Sequence, residues 1–104
     1  MNKQPRQMML HNIVMKDGSR HFGDIPQMVG YSELRDHVAK LTGAVETDFL
    51  TDGLAEMWMD FSYMNYRFSV NYQLSEYWFF VDDPKCPDAI LENVLSHFRE
   101  LLIP

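Results

Sequence analysis

Four histidines, one cysteine and fifteen carboxylates are the side chains of this 104-residue sequence best suited to chemistry. His11, His21, His37 and His97 make no recognised metal-ligand spacing. His37 and His97 fall on the polar faces of the helices expected around them. Whether His11 and His21 share a face depends on a loop: a two-residue Asp17-Gly18 loop separates them, and a three-residue loop through Ser19 brings them together. No metal and no other cofactor is assigned on these spacings. Cys86 precedes the first turn of an expected helix, where backbone amides and the helix dipole favour a thiolate, and Lys85 adjoins it. Asp82, Asp83 and Asp88 oppose that charge and no spacing supplies a histidine base, so a structural cysteine is expected. Asp48, Asp52, Glu56, Asp60 and the pair Asp82-Asp83 match no calcium loop and read as solvated loop and helix-entry residues. Gly18 to Gly23, the nearest approach to a phosphate loop, lies in an expected hairpin rather than between a strand and a helix. No catalytic residue is assigned.

The composition bounds what can position these groups. With 46% apolar and 23% charged residues the chain reads as one compact domain spanning 1–104, with the polar residues 1–7 frayed. A chain of this length buries about 65% of its unfolded surface, enough for one core without staples. Nine basic against fifteen acidic residues leave a net charge of −6, which argues against nucleic acid and towards a basic partner. A single cysteine excludes an internal disulfide and fits the reducing cytoplasm. Lys3 and Arg6 precede a short Met8 to Met15 segment that contains His and Asn and lacks a small-residue cleavage site, so no export signal is expected. No stretch approaches the roughly 18 apolar residues that span a bilayer, so no membrane partner is expected.

The hydrophobic pattern predicts an α+β domain: a mostly antiparallel sheet of about five strands (8–15, 20–25, 56–63, 66–73, 76–82) with two helices (32–42, 87–102) on one face. Asp17-Gly18 supplies a hairpin turn between the first two strands. Ser32 caps the first helix, which Gly43 closes. Pro87 opens the second helix, and Ile90, Leu91, Val94, Leu95, Phe98, Leu101 and Leu102 form its apolar stripe. Val45 to Leu50 offers a further short strand. Connections at Met64-Asn65 and Leu74-Ser75 pair Tyr63 with Tyr66, Phe61 with Phe68 and Met59 with Val70. They also pair Tyr72 with Tyr77, Val70 with Phe79 and Phe68 with Val81. A one-residue slip would turn the apolar set to the wrong side, so the pattern fixes the register, although neither dipeptide is a good two-residue turn.

That parity puts a second set of side chains on the far face in three cross-strand rows: Trp58, Asn71 and Trp78; Asp60, Ser69 and Phe80; Ser62, Arg67 and Asp82. Arg67 and Asp82 are expected to form an ion pair. Trp58, Asp60, Arg67, Asn71, Trp78, Phe80 and Asp82 have the composition of an interface, because large rigid aromatics and Arg bury much area at small entropic cost. The expected function is a small acidic non-enzymatic protein-binding module that docks a partner through this face. In general architecture such a chain looks like the immunity proteins of toxin and immunity pairs, or the small dimeric chaperones of bacterial secretion systems. The alternatives are a homodimer that buries the same patch, and a small-ligand protein or enzyme with an acidic or histidine site; a loop, a helix or the Met8 to Ile25 hairpin of the same chain is an equally open cover for the patch.

Overall fold

The computed structural model describes residues 10–103. The segment 1–7 and the first two residues of the strand expected at 8–15 lie outside them. The elements are β1 (Ile13–Val14), β2 (Arg20–Pro26), α1 (Tyr31–Ala39), β3 (Val45–Thr51), β4 (Met57–Tyr63), β5 (Tyr66–Gln73), β6 (Glu76–Val81) and α2 (Asp88–Arg99), which runs into a 3-10 turn (Glu100–Leu102). One antiparallel sheet in the order β1-β2-β6-β5-β4-β3 carries both helices on one face, an α+β fold with six strands where about five were expected. Among the described residues no helix is long and apolar enough to cross a membrane.

The β4-β5-β6 register is the one the alternation dictates, with Tyr63 opposite Tyr66, Val70 opposite both Met59 and Phe79, and Tyr72 opposite Tyr77. Both connections are two-residue turns in which each residue is left-handed: φ is 54° at Met64, 68° at Asn65, 53° at Leu74 and 66° at Ser75. These are the dihedral signs of type I′ turns, whose twist matches that of the paired strands, and the strands impose them on side chains that disfavour them.

Between sheet and helices lies the core. Leu91, Val94, Leu95 and Phe98 of α2 and Leu34 and Val38 of α1 are buried with Met59, Phe61, Phe68, Val70, Tyr77, Phe79 and Val81. A β-carbon at Gly23 would come within 2.6 Å of Leu95 Cδ2, so α2 can approach β2 closely only at a glycine. Tyr77 is wholly buried; its hydroxyl donates to Val29 O at 2.6 Å and accepts from Gln27 Nε2 at 3.2 Å, which ties the β2-α1 loop to the core.

Element ends depart from expectation. α1 starts one residue early, on Gly30 rather than on a Ser32 cap, and Lys40 and Leu41 fold back onto His37 O and Val38 O before Gly43 turns the chain at φ +91°. α2 begins at Asp88, with Pro87 as the flanking residue, and its expected last turn tightens to 3-10 geometry. β1 shrinks to two residues. Met15 N donates to Ser19 O and Gly18 N to Met15 O, so the loop is the three residues Lys16, Asp17 and Gly18 rather than a two-residue turn or one through Ser19.

Candidate functional site

The far face of the sheet holds the expected rows, Trp58-Asn71-Trp78 and Asp60-Ser69-Phe80, with Ser62 beside Arg67. The chain covers part of it. His21, opposite Phe80 on β2, lies flat on Trp78 with ring centres 4.6 Å apart and planes 7° from parallel. Its ring centre is 5.1 Å from that of Phe80, which in turn is 6.5 Å from Trp58. Phe80 is therefore 7% exposed and Asn71 6%, so neither offers the free contact surface expected of it. Trp78 is half-buried, with its indole N–H on Glu76 at 3.1 Å. Trp58 remains open, at 49% exposure.

A cavity of about 220 Å³ results, walled by Met15, Asp17 and Ser19 of the β1-β2 turn and by Trp58, floored by Phe80 and Asn71, with Asp82 on its lining. The turn side is supplied by the hairpin whose relation to the aromatic face the sequence left open. Asp17 accepts from Ser19 Oγ at 2.7 Å and Ser19 N at 2.9 Å, and these bonds hold its carboxyl below the usual carboxylate range. Arg67 pairs first with Asp60, donating from Nη2 at 2.9 Å, and reaches Asp82 only at 3.8 Å. The expected Arg67–Asp82 pair is thus the longer of two contacts, because Asp60 is also fixed by Ser69 Oγ at 2.8 Å and presents its second oxygen diagonally across the strands. Asp48 stands opposite Asp60 on the same face, so among the described residues carboxylates outnumber the one guanidinium there.

The histidines form two clusters that the spacing did not show. His11, His21 and Asp24 converge, as do His37, His97 and Glu100. His37 and His97 do not lie on wet helix faces: their rings stack at 3.9 Å, and each Nε2 donates to the other residue's backbone carbonyl, at 2.7 and 2.6 Å. Each of these carbonyls already accepts one backbone N–H, from Lys40 at His37 O and from Glu100 at His97 O, so the imidazoles are second donors that tie the two helix ends to each other. His11 and His21 share the far face because the β1-β2 loop has an odd number of residues. Asp24 joins them through a bulge: His21 faces Phe80 but Gly23 faces Phe79, so Phe22 is an extra residue. The sequence signal for it was Gly23 inside a strand.

Cys86 is buried, with Sγ 3.8 Å from Pro87 O, and burial followed by the Asp83 charge pushes its thiol up to about 11. An ordinary thiol near 8.5 is rendered inert by such a shift. At pH 8 the folded chain is expected to resist a colourimetric thiol reagent that labels the urea-unfolded chain at once; equal rates would contradict the burial. Because the folded value is the raised one, this residue's contribution to stability is complete below about pH 8.5 and is lost as the pH climbs towards 11.

Comparison with protein-family models, curated proteins and solved structures gives no match.

Proposed function

We propose that this chain is a small acidic, non-enzymatic binding module of the immunity-protein or inhibitor type, acting in the cytoplasm, that receives a basic side chain of a protein partner in the Trp58 cleft. The observation that supports this most is the half-exposed indole standing over a concave site that also carries Asp17 and Asp82. An arginine or lysine entering there stacks its cationic head on the indole and meets carboxylates at the rim, while Phe80 receives its aliphatic stem. The net charge of −6 adds long-range attraction for a basic partner, which speeds association and is screened by salt.

The test uses a partner captured from the native host on the immobilised chain. Trp58→Ala is expected to weaken binding about 30-fold or more, as a central aromatic anchor does. Asp82→Lys is expected to slow association chiefly at low salt. Unchanged affinity in Trp58→Ala overturns the reading. A concentration-dependent dimer in light scattering that Trp58→Glu converts to monomer replaces it with the homodimer.

A further inference from the structure

The bulge in β2 does something that regular pleating cannot. In an unbroken strand His21 and Asp24, three residues apart, point to opposite faces. With Phe22 as the extra residue, His21 lies opposite Phe80 and Asp24 opposite Trp78, both on the far face, and His11 reaches the same spot from the neighbouring segment. His11 is anchored independently: its amide donates to Phe22 O at 2.9 Å and its carbonyl accepts from the buried Arg20 Nε at 2.9 Å.

From this geometry we propose that His11, His21 and Asp24 form a binding site for a divalent transition metal, Zn²⁺ above all, through the two imidazole Nε2 atoms and the Asp24 carboxylate. Two imidazoles and one carboxylate are the borderline donors that such ions prefer over Ca²⁺ or Mg²⁺. Tetrahedral Zn²⁺ with bonds near 2.0–2.1 Å sets its ligand atoms about 3.3 Å apart. Asp24 Oδ2 stands 3.0 Å from His11 Nε2 and 3.9 Å from His21 Nε2, on either side of that spacing. Both imidazoles must be neutral to bind. His21 Nε2 now lies 3.1 Å from Gly23 O; the metal takes that position on the ring, and the ring's one proton moves to Nδ1. Side chains 38% exposed at His11 and 31% at Asp24 leave an entry path and a fourth coordination position open to water or an exogenous donor.

The second cluster is the poorer site. The Nε2 protons of His37 and His97 are both committed to carbonyls at 2.7 and 2.6 Å, and a metal on His37 Nε2 would break one of the two bonds that join the helix ends. It serves as the internal control.

The experiment is calorimetric titration of the intact chain with Zn²⁺, with Co²⁺ as optical probe, in wild type, His11→Ala, Asp24→Ala and His97→Ala. Circular dichroism verifies that each variant is folded; the two site variants remove partly exposed side chains, unlike His21→Ala. Expected are one ion per chain, affinity falling as acid competes for the imidazole nitrogens, and at least tenfold weaker binding in His11→Ala and Asp24→Ala with His97→Ala unchanged. Absence of binding in the wild type, wild-type affinity in the two site variants, or loss confined to His97→Ala each overturns the proposal.

Discussion

Phe98→Ala is expected to lower the unfolding free energy by about 3–5 kcal/mol. The ring is fully buried, with centres 5.0 Å from Phe79 and 5.9 Å from Phe61 on the sheet, and 5.7 Å from His37 and 5.3 Å from His97 at the helix ends. Truncation removes apolar transfer energy and leaves a hole that four neighbouring rings, each held by other contacts, cannot close. Against a total of about 5–15 kcal/mol for a domain of this kind, such a loss brings the chain near its threshold. Urea unfolding followed by tryptophan emission measures it. Leu54→Ala, at an exposed position, is the control and should stay within about 0.5 kcal/mol of wild type. A loss below about 1 kcal/mol in Phe98→Ala would contradict the central position of this ring.

Rewriting both tight turns as Asn-Gly should act in the opposite direction. The changes Met64→Asn with Asn65→Gly, and Leu74→Asn with Ser75→Gly, place the residues that tolerate φ > 0 where the chain now holds Met, Asn, Leu and Ser at +54°, +68°, +53° and +66°. A left-handed conformation disfavours an ordinary L-residue by roughly 1–2 kcal/mol, and Met64 and Leu74 are exposed, so little packing is lost in exchange. Each rewritten hairpin is expected to gain about 1–2 kcal/mol, and each kcal/mol to raise the melting temperature by about 4–8 °C, read by scanning calorimetry. A lower melting temperature would show that Met64 or Leu74 holds a contact worth more than its strain.

These turns also show why some of the architecture could be read from the sequence and some could not. Met-Asn and Leu-Ser are poor hairpin dipeptides, yet the register was legible, because a slip at either turn would expose Phe61, Phe68, Val70 and Phe79 together; the pleat outweighs two unfavourable backbone residues. A bulge has no such collective signature. The single extra residue Phe22 reverses the parity of everything after it in β2, and only Gly23 hinted at it, so Asp24 was not placed beside His21. The far face was correctly composed and its covering stayed open: nothing in the spacing of β4, β5 and β6 says that His21 will lie on Trp78 or that the turn at Asp17 will line one cavity with Asn71. His37 and His97 were misassigned for the same reason. They are 60 residues apart, and their polarity fits a wet helix face as well as a buried pair of helix ends.

Among the described residues the sheet stops at β1 on one side and at β3 on the other, and the two rims differ in kind. At two residues β1 is too short to template another chain. β3 is long enough, at seven residues, but a shift in register between Glu46 and Asp48 kinks it, and the Asp48 carboxylate puts charge on that rim. Strand addition is therefore opposed by shape at one rim and by the kink and the Asp48 charge at the other.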